Sequence, residues 1–266
     1  MDNQHHVKEM PKQETFTKVI VMPFHGQGHI NQIFEFANHL AFKSNDTIHI
    51  TIATTTSDTL KLNKISSNMD VFTIYDNSND DLRLNFWSHM EKFESKAPLQ
   101  LVNLLSTSPI RPSLLVYDAY LPWALNIAKQ NGILSAAFFP HSCAYIASFY
   151  PIFVEEFKEN VDHPLIVAAN KLDGNSLPFS LVGPTQDELV HGLLTRLKSS
   201  DESSNGDKKL LHPLIKMVIS FLTNLHQADW VLFNSFDRLD YVVCFLIFVA
   251  FSFLMAKGTN SIKSLS

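Results

Sequence analysis

Short apolar runs alternate with longer segments of helical spacing along most of the chain. The first run, Val19-Ile20-Val21-Met22, is uninterrupted, as is typical of a strand buried on both faces. Pro23 ends it, and a tight turn with two glycines follows over residues 24–29. Apolar residues then recur every three or four positions, which predicts a helix with one buried face. The opening segment is therefore predicted to be a strand, a loop and a helix, with His29 at the N-terminus of the helix.

The same alternation continues downstream and predicts the fold class. Five further segments have the composition of strands, namely residues 47–54, 69–75, 114–117, 133–139 and 230–234. Helical spacing recurs between them, over residues 57–65, 84–105, 121–130, 142–157 and 210–226. The pattern indicates an α/β fold, a Rossmann-like doubly wound parallel sheet with helices on both faces. In the common order 3-2-1-4-5, strands 1 and 4 are neighbours and flank the topological switch point.

Two polar side chains are predicted to meet at that switch point. His29 follows strand 1 and Asp118 follows strand 4, so both are expected at the carboxyl edge of the sheet, within hydrogen-bond reach. A neutral imidazole beside a carboxylate is a general-base pair, because the carboxylate fixes the tautomer and stabilises the imidazolium. The structural alternative is that His29 only begins a helix and Asp118 caps the next one. Several other histidines have no such placement: His49 is predicted to point outward from a strand, and the surface or loop residues are predicted to be His89, His163, His191, His212 and His226.

Several other site classes fit the sequence poorly. The pair Gly26 and Gly28 suggests a dinucleotide loop, but Asn31 stands where the third glycine is required. No Walker A loop and no HExxH or CxxC spacing is present, so neither a metal nor a bound cofactor is predicted. Ser142, with His141 and Asp118, suggests a hydrolase triad. The G-x-S-x-G elbow is missing, however, and Ser142 is better interpreted as a helix N-cap.

Composition and charge limit which classes of binding partner and which cellular compartment are expected. The 266 residues carry a formal net charge of -5 and no basic stretch, so a nucleic-acid partner is not expected. The two cysteines, Cys143 and Cys244, lie far apart in the sequence, which is typical of a reducing compartment and favours a cytoplasmic location. Residues 1–17 are mostly polar and contain no signal-peptide core. They are predicted to form a disordered arm.

Four ordered motifs resemble one family. They are VMPFHGQGHINQ over residues 21–32, SLLVYDAYLPWALNIAKQNGI over 113–133, AAFFPHSCA over 136–144 and ADWVLFNSFDRLD over 228–240. Together they are similar to the N-terminal half of plant UDP-dependent glycosyltransferases that act on small molecules. The resemblance implies the GT-B architecture, in which two Rossmann-like domains face a cleft. The N-terminal domain mainly binds the acceptor, and the C-terminal domain the UDP-sugar.

The same resemblance assigns roles to individual residues. It implies that His29 is the base, that Asp118 is its partner, and that the sugar is transferred with inversion and without a metal. It also implies acceptor-binding candidates, for which packing in the core or in loops is the alternative: Phe24, Gly28, Trp123, Phe139, His141 and Tyr145. Pro140 stands where relatives commonly have a threonine that can contact the sugar. Its side chain has no hydrogen-bond donor, which leaves a donor-binding role at this position in question.

The C-terminal segment departs from the family pattern. Residues 18–240 are predicted to form the acceptor-binding domain, and residues 241–266 an apolar tail outside the family. Tyr241–Ala256 holds 16 uncharged residues, and a helix of that length spans ~24 Å, short of a hydrocarbon core of roughly 30 Å. A retained intron or a truncation is therefore favoured over a membrane anchor.

The expected function is glucosyl transfer from a UDP-sugar co-substrate to a hydroxyl or carboxyl group of a small metabolite. The alternative is a non-catalytic acceptor-binding fragment, because the donor-binding signature is missing.

Overall fold

The described residues form one parallel β-sheet flanked by helices. The computed structural model describes residues 16–59, 62, 65–78, 86–142, 217 and 220–234. The strands are β1 (Thr17–Met22), β2 (Ile48–Thr55), β3 (Met69–Tyr75), β4 (Leu114–Asp118), β5 (Leu134–Phe139) and β6 (Trp230–Phe233). The helices are α1 (Gln27–Lys43), α2 (Thr56–Thr59), α3 (Phe86–Thr107) and α4 (Pro122–Gln130), followed by a 3-10 helix at Leu225–Gln227.

The strand order confirms the predicted doubly wound sheet. The six strands are arranged β3-β2-β1-β4-β5-β6, and every neighbouring pair is parallel. Val21 of β1 pairs with Ile52 on one side and with Val116 on the other. The chain therefore leaves the edge strand β3, crosses back through α3 and enters β4 beside β1. This crossover creates the switch point at the carboxyl ends of β1 and β4.

The two faces of the sheet bury separate sets of side chains, which explains the uninterrupted apolar run in β1. Val19 and Val21 pack on one face with Ile33 and Ala37 of α1. Their neighbours along β1, Ile20 and Met22, pack on the other face with residues of α3 and α4. Because side chains alternate along a strand, a strand covered on both faces needs an apolar residue at every position. Helix α1 is thus packed against β1, the strand that precedes it.

Some predicted boundaries differ from the structure. Thr17, the last residue of the predicted arm, already belongs to β1, and its N–H bonds to the Thr47 carbonyl at 2.9 Å. The helix predicted through His226 is replaced there by a turn over residues 221–224 and by the 3-10 helix. The hydroxyls of Ser220 and Thr223 bond to carbonyls three residues earlier, at 2.7 and 2.6 Å. Such bonds compete with regular helix.

The remaining sequence predictions fall on other parts of the chain. The predicted helix 142–157 lies outside the described residues except for Ser142, and so do residues 1–15, both cysteines and the tail 241–266. In the described part, no helix is both long enough and apolar enough to cross a membrane. The boundaries proposed for the acceptor-binding domain, residues 18–240, stay a prediction.

Candidate active site at the switch point

The carboxyl ends of β1 and β4 bring His29 and Asp118 into direct contact. His29 lies in the first turn of α1, where its backbone N–H bonds to the Gly26 carbonyl at 2.9 Å. Asp118 is the last residue of β4. Nδ1 of His29 lies 2.8 Å from Oδ2 of Asp118, although 89 positions separate the two residues. The predicted proximity is therefore observed in the structure.

The burial of the pair differs sharply between its two members. The Asp118 side chain is 0% exposed, whereas 15% of the His29 side chain is accessible. The carboxylate thus lies behind the imidazole, and only the imidazole reaches solvent. A carboxylate hydrogen-bonded to Nδ1 favours the tautomer with the proton on that nitrogen. The other nitrogen, Nε2, is left to accept a proton from a ligand.

Asp118 is itself held at its second oxygen. The backbone N–H of Tyr120 donates to Oδ1 at 3.0 Å. Helix α4 begins only after this turn, and its N-cap residue, Leu121, makes no side-chain capping bond. The Asp118 side chain therefore holds the turn before α4 and does not cap the helix itself. Its two oxygens fix the turn after β4 and the imidazole of His29.

Aromatic rings surround the imidazole of His29. The ring centroids of Phe24 and Tyr120 lie 5.0 and 4.7 Å from it, and that of His141 lies 5.0 Å away. Tyr120 is nearly parallel both to His141 and to Phe221, with interplanar angles of 10° and 8°. Sequence reasoning missed Tyr120. The signal available was its position two residues after a strand-ending aspartate, where a backbone N–H meets the carboxylate.

His141 is the second imidazole of the site. Burial lowers its pKa, and the neighbouring His29 lowers it further, whereas Asp118 acts in the opposite direction. His141 follows β5 directly after Pro140, so the loop at the end of that strand carries it towards the switch point. The structure thus places it beside His29, with ring centroids 5.0 Å apart. Its role stays a prediction.

The other predicted acceptor residues differ in how they are placed. Phe24 is 4% exposed and contacts His29, and Gly28 is exposed in the first turn of α1. Phe139 is 0% exposed and packs against Phe221 and Phe233, with centroid distances of 5.1 and 4.9 Å. These contacts favour the core-packing alternative for Phe139, because a fully buried ring has no surface left for a ligand.

Trp123 and Pro140 make contacts within the fold. Trp123 is partly buried and lies 6.2 Å from the ring of Phe93 in the core, which favours packing as its role. The Pro140 carbonyl lies 3.4 Å from Nδ2 of Asn234. That contact uses the backbone and does not bear on sugar binding. Tyr145 lies outside the described residues.

The burial of His89 corrects the sequence interpretation, and a second buried histidine, His25, packs against it. His89 of α3 is 2% exposed and His25 of the β1–α1 loop is 6% exposed, and their ring centroids lie 4.5 Å apart. The prediction that His89 lies on the surface is wrong, because it precedes Phe93 by one helical turn and shares its buried face. That i, i+4 spacing was the signal in the sequence. Phe24 contacts both His25 and His29, so the buried pair adjoins the site.

Hydrogen bonds of Asn234 connect the end of β6 to α1 and to β5. Nδ2 of Asn234, the residue after β6, donates to Oε1 of Gln32 at 2.7 Å, and the backbone N–H of Asn234 donates to the Phe139 carbonyl at 2.9 Å. Gln32 lies one turn after His29 on α1. The link therefore connects the helix that carries the histidine to the end of the sheet. Among the described residues, no group of three or more His, Cys, Asp or Glu side chains is arranged to hold a metal ion.

Comparison with known proteins identifies the relatives of this chain. No family model matches it. UDP-glucosyl transferase 74CD1 of Saponaria officinalis is 35% identical over 232 residues, which cover 84% of this chain and 46% of the relative. UDP glycosyltransferase 9 of Catharanthus roseus is 27% identical over 241 residues, covering 85% and 45%. Its relatives are plant UDP-glycosyltransferases. The chain spans about half the length of the curated relatives that it matches.

Solved glycosyltransferase structures share the fold. The Os79 protein of O. sativa, in complex with UDP, matches with a TM-score of 0.56 at 23% identity, over 93% of this chain and 50% of that one. A UDP-glucosyltransferase from Polygonum tinctorium, capable of glucosylating indoxyl, matches with a TM-score of 0.54 at 18% identity, over 87% and 49%. These matches confirm the predicted Rossmann-like parallel sheet. The resemblance to plant UDP-glycosyltransferases is likewise confirmed, and the matched length is consistent with an N-terminal half.

Proposed function

We propose that this chain is the acceptor side of a plant UDP-glycosyltransferase, with His29 as the general base. The single observation that carries the proposal is the contact of 2.8 Å between His29 and Asp118 at the switch point of the sheet. The similarity to plant UDP-glycosyltransferases supports it. The co-substrate is a UDP-sugar, with glucose as the proposed sugar. The acceptor is a hydroxyl or carboxyl group of a small plant metabolite.

The geometry supports a simple sequence of proton and bond changes. Asp118 holds Nδ1–H of His29, so Nε2 accepts the proton of an acceptor hydroxyl. The acceptor oxygen forms a bond to the anomeric carbon of the sugar as the bond to the UDP oxygen breaks, and UDP leaves with that electron pair. The imidazolium that forms is stabilised by the buried carboxylate. A carboxylate acceptor is already deprotonated and attacks without the proton transfer.

The surroundings of His29 favour a small aromatic or apolar acceptor. The rings of Phe24, Tyr120 and His141 lie beside the imidazole of His29, with centroid distances of 5.0, 4.7 and 5.0 Å. Aromatic side chains bind flat apolar ligands over a large area and orient them by offset or edge contacts. The few polar atoms near His29 then decide which oxygen of the acceptor reacts.

The donor is proposed to need residues of a second domain. The chain matches only about half of its relatives and of the Os79 chain that was solved with UDP. In the GT-B architecture, the nucleotide sugar is held mainly by the other domain. The complete reaction is therefore proposed for the described sheet together with such a donor-binding domain.

Two measurements test this function. The first is binding of 4-nitrophenol and benzoate to the 266-residue chain, followed by the NMR signals of its histidines. The second is product formation from UDP-glucose, by this chain and by a chimera in which residues 18–240 are joined to the second half of the Saponaria relative. We expect acceptor binding by the chain and transfer by the chimera. His29→Ala should lower the transfer rate by about 10²–10⁴-fold, because the general base is lost.

The control is His49→Ala, a change at a histidine that pairs with Asp70 and not with Asp118. It should leave transfer unchanged. Transfer that survives His29→Ala would show that the assigned base is wrong. Acceptor binding by the chain without transfer by either protein would support a second candidate, a non-catalytic acceptor-binding fragment. The match to only half of each relative is the observation that favours that candidate.

A further inference from the structure

Tyr120 contacts both members of the His29–Asp118 pair. Its backbone N–H donates to Oδ1 of Asp118 at 3.0 Å, and its ring centroid lies 4.7 Å from that of His29. Oδ2 of the same carboxylate lies 2.8 Å from Nδ1 of His29. Tyr120 thus contacts the carboxylate through its backbone and the imidazole through its side chain. A displacement of this one residue would therefore disturb both groups.

The turn after β4 is closed by backbone hydrogen bonds on either side of Tyr120. The Leu121 N–H donates to the Asp118 carbonyl at 2.8 Å, and the Ala119 N–H donates to the Phe138 carbonyl at 2.9 Å. The N–H of Tyr120, between them, donates to the carboxylate of Asp118. The orientation of that carboxylate therefore depends on where the middle of the turn lies. The Tyr120 side chain anchors the middle of the turn in the core.

Two rings lie parallel to the ring of Tyr120. They belong to His141 and Phe221, each at a centroid distance of 5.7 Å, with interplanar angles of 10° and 8°. Phe221 is 1% exposed and makes a T-shaped contact with Phe139, which is 0% exposed, at 5.1 Å. Contacts between aromatic rings favour particular orientations in addition to the burial of apolar surface. The orientation of the Tyr120 ring is therefore fixed by rings of the core.

The ring of Tyr120 also helps to keep water away from the carboxylate. Asp118 is 0% exposed, and Tyr120 is 5% exposed. A hydrogen bond to a carboxylate is stronger in a dry environment, because no water competes for the oxygen and the local dielectric constant is low. Loss of the ring would admit water beside Asp118 and weaken its hold on Nδ1–H of His29.

We propose that Tyr120 is a positioning residue for the base, and that Phe221 acts on the site through the ring of Tyr120. The inference rests on the proposed function, because it assigns both residues an effect on the same site. Tyr120 orients the carboxylate of Asp118 through its backbone N–H and excludes water from it with its ring. Neither effect requires the phenol hydroxyl, so phenylalanine should replace this tyrosine without loss.

The direct test is a proton NMR measurement on the intact chain. The Nδ1–H proton of His29 is the downfield signal that disappears in His29→Asn, and its exchange with water reports how firmly Asp118 holds it. Tyr120→Leu and Phe221→Leu should each speed this exchange about two- to tenfold, the size expected from the loss of one ring contact. Tyr120→Phe should exchange at the wild-type rate.

Phe93→Leu is the matched control, because Phe93 is also a core ring that is 1% exposed and it packs against Trp123 of α4. It should lower stability and leave the exchange of Nδ1–H unchanged. Equal acceleration in Phe93→Leu and Phe221→Leu would show a general loosening and overturn the inference, as would a wild-type rate in Phe221→Leu. If Phe221→Leu does not fold, Tyr120→Leu and Tyr120→Phe decide the question, and equal rates in these two overturn it.

Kinetics of the chimera separate positioning from acceptor binding. Phe221→Leu should lower kcat about two- to tenfold and leave KM for 4-nitrophenol unchanged, because a buried ring that positions the base does not bind the acceptor. A raised KM with an unchanged kcat would show a role in acceptor binding only and overturn the inference. Faster Nδ1–H exchange in the variants, together with transfer that survives His29→Ala, would contradict the proposed function and leave the effect of Tyr120 on the His29–Asp118 contact intact.

Discussion

Asp229 shows how a single carboxylate fixes the edge of the sheet opposite the site. Its Oδ2 accepts hydrogen bonds from Nζ of Lys129 at 2.8 Å and from the backbone N–H and hydroxyl of Ser135 at 2.9 and 2.8 Å. Burial alone would raise the pKa of Asp229, but the bonds from Lys129 and Ser135 and the charge of Lys129 outweigh it. The pKa is therefore lowered. This cluster joins α4 and β5 to the start of β6.

We expect Asp229→Asn to lower the free energy of unfolding at pH 7 by about 1–3 kcal/mol, because charge-assisted bonds are lost. Since the pKa is lower in the folded chain than in the unfolded one, the carboxylate stabilises the fold above its usual pKa of 3.8, and this stabilisation is lost as the pH falls through the folded-state value. Urea unfolding between pH 3 and 7 measures both effects. Asp70→Asn, at an exposed surface pair with His49, is the control. Equal losses in the two variants would contradict the prediction.

At the residue scale, the sequence predicted the contact between His29 and Asp118 better than it predicted the side chains around them. The positions of His29 and Asp118 after two apolar strands were enough to predict their contact, because strand order follows from a small set of topological rules. The burial of His25 and Phe139, in contrast, depends on which neighbours cover a loop or a strand end. Those neighbours are distant in sequence, as Phe221 is from Phe139, and a local pattern does not report them.

At the scale of elements, two asparagine side chains form hydrogen bonds near the opposite ends of α1. Asn234 holds Gln32 near its first turn, at 2.7 Å. Asn68 donates to the Ala41 and Ile48 carbonyls at 3.2 and 3.0 Å and so ties its last turn to β2. The helix lacks a side-chain N-cap at Gly26. The position of its first turn therefore depends more on the link to β6 than on local capping.

Asn234→Ala should speed hydrogen exchange of the Ile30 amide, which bonds to the Gly26 carbonyl, by about two- to tenfold. Such a rate change corresponds to one lost hydrogen bond. Asn68→Ala is the matched control, since it should loosen the last turn around Ser44 and leave Ile30 protected. Exchange measured by NMR on both variants distinguishes the two ends. If Ile30 is equally protected in both, the link to β6 does not hold the first turn.

The elements themselves followed the hydrophobic period closely. Strand β3 spans the predicted residues 69–75, and β4 and β5 shift by one residue at one end. In the segment before β6, the apolar spacing over 210–226 predicted a helix that continues through residues 221–226. Residues 221–224 form a turn instead. There the hydroxyls of Ser220 and Thr223, and the side chain of Asn224 bonded to the Pro122 carbonyl at 2.8 Å, outweigh the periodicity.

At the scale of the whole molecule, the apolar segment Tyr241–Ala256 is expected to govern solubility. It contains no charged residue, and apolar surface of that extent favours association unless another part of the protein covers it. Deleting residues 241–266 should raise the soluble yield and the share of monomer in size-exclusion chromatography. Deleting the polar residues 1–15 serves as the control. An unchanged yield after the C-terminal deletion would contradict the prediction.

The separation of 89 positions between His29 and Asp118 also has a consequence for how the molecule is made. On the ribosome, β1, α1 and β2 emerge long before β4, so the nascent chain carries an imidazole with no carboxylate beside it. The pair forms only after the crossover from β3 has been completed and β4 has inserted next to β1. Parallel pairings of this kind are slow, because the intervening loop must close first. The base–carboxylate contact thus forms only once β4 is in place, and a nascent chain that stalls before Asp118 has no such pair.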